Sequence, residues 1–218
     1  KIFADKGRFA VIDQYKRHIG VYALASLAVC SYLFVQFSQY LQFLLVGAGI
    51  VSLLYTIPLF TKKRRLRDFA YIKIILIAIV WSYVTESVPL LNSDKFSTPI
   101  VLLFIERCLF FIAITIPFDI RDLEIDSINN VATIPSKIGT AQSIILAYIL
   151  ISICMISEIS MAVIGVLSWQ DAIVLIMTYG LTGLLIHFIG DKENDYYYSG
   201  LLDTTIALPY LIHLIIHL

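Results

Sequence analysis

Apolar stretches of about twenty residues recur along almost the whole chain, and that recurrence limits the fold more than any other feature. A helix needs roughly 20 apolar residues to cross a hydrocarbon core of about 30 Å. Seven such stretches are readable, near residues 20 to 37, 41 to 60, 69 to 91, 99 to 118, 138 to 156, 171 to 190 and 200 to 218. Lipid offers no partner for an open sheet edge, so these stretches are predicted to be helices. The expected class is therefore all-α, a polytopic membrane bundle forming one domain over 1–218. Residues 157 to 170 stay open between a loop, an interfacial helix and an early start to the sixth span. The hydrophobic share of 59% fits this class.

Charge sidedness tests the count. Threading the chain back and forth puts segments 1 to 18, 61 to 68, 119 to 137 and 191 to 198 on one side, and these carry thirteen of the sixteen Lys and Arg. By the positive-inside rule that face is cytoplasmic. Dropping one interior span would put the basic run Lys62-Lys63-Arg64-Arg65-Leu66-Arg67 opposite the acidic run at 119 to 126. Sixteen acidic residues balance the sixteen basic ones, and nothing in that balance suggests a nucleic-acid partner. Cys30, Cys108 and Cys154 lie apart within apolar blocks and read as packing residues. The chain opens Lys1-Ile2-Phe3-Ala4-Asp5 with no initiator Met and no targeting segment, so residues upstream are expected.

The chemistry concentrates in Asp119-Ile120-Arg121-Asp122-Leu123-Glu124-Ile125-Asp126. At about 100° per helical residue, Asp119, Asp122 and Asp126 return to nearly one face, while Glu124 points away. Three like charges on one stripe call for a cation. Carboxylates are hard donors, and Mg²⁺ is commonly held by one or two of them together with water and substrate phosphates. The run follows Phe110–Phe118 directly, which places it where a membrane cavity would open.

Asp119-x-x-Asp122-x-x-x-Asp126, followed by Thr133-Ile134-Pro135-Ser136-Lys137-Ile138-Gly139, resembles the second aspartate-rich motif and trailing segment of UbiA-type intramembrane prenyltransferases. Tyr55-Thr56-Ile57-Pro58 with Lys62 and Lys63 beyond it is similar to a Tyr and basic element of that family. The resemblance implies helices three to nine of a nine-helix fold, with two helices upstream. It implies transfer of a prenyl group from a prenyl diphosphate to an aromatic or other lipophilic acceptor, with Mg²⁺ as cofactor, in lipid or quinone biosynthesis. Asp119, Asp122 and Asp126 would be catalytic metal ligands, and Tyr55, Lys62, Lys63, Arg121 and Lys137 would contact the diphosphate. The expected setting is a multi-pass protein, surrounded by membrane lipid, in a bacterial inner membrane. The family's first motif, Asn-Asp-x-x-Asp-x-x-x-Asp, is not reproduced by Asp5 and Asp13, and Leu59 stands where its Tyr-x-x-x-Lys signature has lysine.

Two other functions compete: a catalytically silent member of the same fold that binds an isoprenoid lipid or a partner, and a transporter using Glu86, Glu106 and Arg107. No Asp-Gly-x-x-Ala-Arg signature of a CDP-alcohol phosphotransferase is present. Glu106 and Arg107 are expected to pair with neighbouring helices, Glu86 or Lys73 being the candidates. His213 and His217 are spaced to share a metal. Asp203 is placed to cap the last helix or approach the cavity, and Asp191, Glu193 and Asp195 read as solvated loop residues.

Overall fold

A computed structural model of the chain describes residues 2–57, 66, 69, 71–92, 99–128, 131–191 and 196–216. These residues hold ten α-helices and no strand. In order they are α1 Ile2–Gln36, α2 Gln39–Thr56, α3 Ile72–Ser82, α4 Val88–Asn92, α5 Pro99–Arg121, α6 Leu123–Ile128, α7 Ile134–Ile138, α8 Thr140–Val163, α9 Trp169–His187 and α10 Asp203–Ile216. A π turn, Tyr83–Ser87, joins α3 to α4, and another, Tyr197–Leu202, leads into α10.

Six helical segments among the described residues are long and apolar enough to cross a membrane. They match the first six expected spans, and the third is α3, its π turn and α4 run together. The seventh expected span is a π turn followed by the 14-residue α10, which contains Pro209. The open stretch 157 to 170 is settled as the end of α8, a turn through Gly165 at φ 74°, and the start of α9 at Trp169. Ser168 caps α9, its hydroxyl accepting from the Asp171 amide at 3.1 Å.

The chain clusters into two compact units, 1–46 and 47–218. In the first, α1 turns into α2 through Ser38, and Gln42 Nε2 donates to the carbonyls of Phe34 and Phe37 at 3.0 and 3.1 Å. The second unit is built around α5, the most buried span, which packs against α3 on one side and α8 on the other. Small residues make the α5–α8 approach close. Ala113, Ala147 and Cys154 are fully buried, and Cys154 Sγ reaches the Glu106 carbonyl at 3.5 Å.

Patterning in this unit is that of a protein solvated by hydrocarbon. On α8, Ile145, Ile149, Ile153 and Ile156 face outward, whereas Ser143, Ala147, Cys154 and Glu158 are buried. On α9, Ile173, Met177, Leu181 and Leu184 face out while Thr178, Tyr179 and Thr182 are enclosed. Leaving apolar side chains outside costs nothing in lipid, and the buried threonines bond their hydroxyls to carbonyls one turn back, Thr178 to Val174 at 2.9 Å and Thr182 to Thr178 at 2.8 Å.

Candidate active site

Asp119 lies in the last turn of α5 and Lys73 in the first turn of α3. Alternating spans bring those two ends to the same membrane level. Lys73 Nζ sits 2.7 Å from Asp119 Oδ1 and 3.5 Å from Asp126 Oδ2. Asp119 is almost fully buried, so its charge depends on that ammonium. The neighbouring loop is fixed by backbone. Tyr71, at φ 62°, turns the chain into α3, and its amide donates to the Ala132 carbonyl at 3.4 Å.

Asp122 behaves differently. Arg121 grips it with a fork, Nε to Oδ1 at 2.8 Å and Nη2 to Oδ2 at 3.0 Å. The same guanidinium lies 5.2 Å from the ring centroids of both Phe118 and Tyr198, which hold it in orientation. The three aspartates therefore do not meet at one point. Asp119 and Asp126 share Lys73, while Asp122 turns to a cavity. Among the described residues no three His, Cys, Asp or Glu side chains stand close enough to cage a metal alone. Mg²⁺ needs less than that, because one or two carboxylates suffice when phosphate oxygens complete the shell. Asp122 faces the cavity, and Asp126 Oδ2, outside its lining and 3.5 Å from Lys73, makes no hydrogen bond, so one carboxylate at the cavity and a second near it would be the donors to a Mg²⁺–diphosphate pair.

That cavity has a volume of about 570 Å³. Its charged end carries Lys73, Arg121, Asp122 and Asp203, and its walls continue through Phe118, Ile114, Ile77 and Phe111 to Trp81. A charged mouth with an apolar trough suits a ligand that is polar at one end and hydrocarbon at the other.

Of the other residues singled out in the sequence, Arg121 and Asp203 line the cavity, whereas Tyr55 and Lys137 do not. Tyr55 is half-buried in α2 and Lys137 is exposed on α7. Lys62 and Lys63 lie outside the described residues. The Thr133–Gly139 segment forms a capped single turn in which Ser136 Oγ accepts from the Thr133 amide at 2.9 Å and donates to the Thr133 carbonyl at 2.8 Å. Gly139 ends it at φ 85°. His213 Nδ1 lies 3.4 Å from Asp171 Oδ1, and His217 falls outside the described residues. Sequence reasoning missed Lys73 as the partner of the aspartates, and missed Trp81 and Phe111 as cavity walls.

Deeper along α5, Arg107 Nη2 meets Glu86 Oε2 at 3.2 Å, one of the two expected partners. The other, Lys73, is committed to Asp119 instead. Glu106 and Glu158 are buried beside this pair, with Tyr179 and Cys154 against the Glu106 carboxylate.

Spans of membrane length, polar groups turned inward and one amphiphilic cavity define an integral, multi-pass membrane protein of the helical-bundle class. The chain belongs to the UbiA prenyltransferase family, which matches residues 14–195. Its fold is also similar to the structure of a UbiA homolog from Archaeoglobus fulgidus bound to GPP and Mg²⁺, with TM-score 0.59 and 17% identity, covering 90% of this chain and 70% of that one. Comparison with curated proteins gives no match.

Proposed function

We propose that this protein transfers a prenyl group from a prenyl diphosphate to a lipophilic acceptor, with the diphosphate held at the Lys73, Arg121 and Asp122 end of the cavity. The observation that carries this reading is the cavity itself, charged at one end and apolar beyond. The similar archaeal structure, which holds GPP and Mg²⁺, supports the same substrate class.

Lys73 and Arg121 supply cationic donors to the diphosphate oxygens, and their carboxylate partners keep them positioned before substrate arrives. Asp122 and Asp126 are the residues that would hold Mg²⁺, with Asp119 anchoring Lys73. When bound there, Mg²⁺ would supply charge neutralisation for the leaving diphosphate. As the bond from the allylic carbon to oxygen breaks, its electron pair stays with the diphosphate, and positive charge grows on the prenyl carbon. Phe118, whose ring also meets Arg121, lies among the lining residues between the charged end and the apolar walls. The acceptor then bonds to that carbon and loses a proton. Apolar walls exclude the water that would otherwise capture the cation. The excess of Lys and Arg in the segments on this side supports a cytoplasmic setting for the mouth.

The test is transfer of labelled prenyl diphosphates in membranes holding the full-length protein, with Mg²⁺ present or chelated. Metal-dependent loss of label from the diphosphate pool into lipid is expected, and its absence across acceptor-rich membranes would overturn the reading. One observation favours a second reading: Lys73 already occupies two of the three aspartates, as a protein that binds the diphosphate without transferring its prenyl group would require. Saturable binding of prenyl diphosphate without transfer would select it.

A further inference from the structure

Three stripes line the cavity, and following each one downward leads to the same place. On α3 the lining residues are Lys73, Ile77 and Trp81, and the next on that stripe is Thr85. On α10 they are Asp203, Ile206 and Ala207, with Tyr210 next. On α5 they run from Asp122 through Phe118, Ile114 and Phe111, with Arg107 next.

Those three continuing positions close on one another. Tyr210 Oη donates to the Thr85 carbonyl at 2.7 Å, across 125 residues of chain. Thr85 lies in the π turn Tyr83–Ser87, where the regular α-helical ladder is interrupted. Arg107 is held by Glu86, the neighbour of Thr85, at 3.2 Å. Just above, Trp81 stacks on Phe111 with centroids 6.0 Å apart. The trough thus ends at an aromatic floor of Phe111, which is buried, and Trp81, which is about half exposed, with a hydrogen bond and an ion pair beyond it.

We propose that this floor limits the substrate to prenyl chains of two or three isoprene units, with Trp81 as the residue that ends the tail; the proposal rests on reading the cavity as the prenyl diphosphate site. From Asp122 to Phe111 the helix rises about 16 Å, of which the part below Phe118, about 10 Å, is apolar trough. With C–C bonds of about 1.5 Å, an extended isoprene unit advances about 5 Å, so two units fill the trough and a third presses against Trp81.

The chain has two tryptophans, Trp81 and Trp169, and Trp169 is exposed at the start of α9, away from the cavity. A Trp169→Phe protein therefore reports from the floor alone. Titrating it in detergent with inorganic diphosphate and with prenyl diphosphates of one, two, three, four and nine units should change Trp81 emission for two and three units but not for inorganic diphosphate or one. Chains of four or more should bind at least tenfold more weakly than three. Tyr210→Phe, which removes only the hydroxyl closing the floor, and Trp81→Ala, followed by competition binding, should each narrow that gap by threefold or more. Equal binding of three- and nine-unit chains, as when long tails leave sideways into lipid, overturns the length limit and leaves the prenyl diphosphate site standing. An unchanged gap in both variants overturns the role of the floor. Failure of every prenyl diphosphate to bind better than inorganic diphosphate overturns the site and the limit together.

Discussion

Lys73 and Asp119 are joined at 2.7 Å across 46 residues of chain, the first turn of α3 to the last turn of α5. Asp119 is 2% exposed, and in such a place a carboxylate that loses its cation is left with an uncompensated charge. Lys73→Met is therefore expected to destabilise the protein by about 3–5 kcal/mol, the usual cost of breaking a buried pair from one side. Adding Asp119→Asn should recover a large part of that loss. Thermal melts of the single and double variants in detergent check both, and additive effects would mean the two residues are not coupled.

Asp122→Asn keeps an oxygen for Arg121 but removes the charge that faces the cavity. Transfer is expected to fall by about a hundredfold or more, in line with the loss of one preorganised electrostatic contact, while the melting temperature stays close to that of the parent. Measuring both on one preparation separates a catalytic defect from a folding one. The opposite pattern, a lower melting temperature with transfer retained, would reduce Asp122 to a structural partner of Arg121.

Chelation offers an independent check on the aspartates. Removing Mg²⁺ with EDTA should stop transfer, and restoring Mg²⁺ should return it. Asp126→Asn is expected to raise the Mg²⁺ concentration needed for half-maximal rate, since Asp126 Oδ2 is buried and its contact with Lys73, at 3.5 Å, is loose. An unchanged Mg²⁺ dependence in that variant would remove Asp126 from the ligand set.

Glu158 is fully buried in a neighbourhood that also holds Glu106, Glu86 and a single guanidinium, Arg107, already paired with Glu86. A neutral isostere should be tolerated there. Glu158→Gln is expected to melt at or above the parent temperature, whereas Arg107→Met should melt several degrees below it. A large loss of stability in Glu158→Gln would mean that its charge is needed.

Gly139 closes the short α7 turn at φ 85°, a backbone region that L side chains avoid, and a Cβ there would come to 3.1 Å from Gln142 Oε1. Gly139→Ala should cost about 1–3 kcal/mol, read from the same melts. Because Lys137 is exposed on the turn that Gly139 ends, Lys137→Ala should leave both stability and transfer near the parent values.

Most of the helices were legible because lipid demands a continuous apolar run, and length alone then marks a span. α10 blurred the pattern, since a π turn and Pro209 break it into a short α-helix. The acidic stripe was legible as well, being local in sequence. Its partner was not: Lys73 stands near the start of an apolar helix, and only the antiparallel run of the spans, with α3 beginning where α5 ends, puts it at the level of Asp119. The same topology held the clue to Asp203. Trp81 and Tyr210 were hidden because each is one apolar or aromatic residue among many, and what distinguishes them is the stripe they share with cavity residues above. Pro89 was the available signal for that end of the trough, since a proline within a span interrupts its regular hydrogen-bond ladder.

The bond between Tyr210 and Thr85 also bears on biosynthesis. One cavity wall comes from α3 and another from α10, so during insertion the chain must be delivered through α10 before the two can meet. A nascent protein halted after α9 has every aspartate of the acidic run in place but only an open groove. Competence to enclose a hydrophobic ligand thus waits on docking of α10, and chains terminated before it should insert into the membrane yet hold such a ligand poorly.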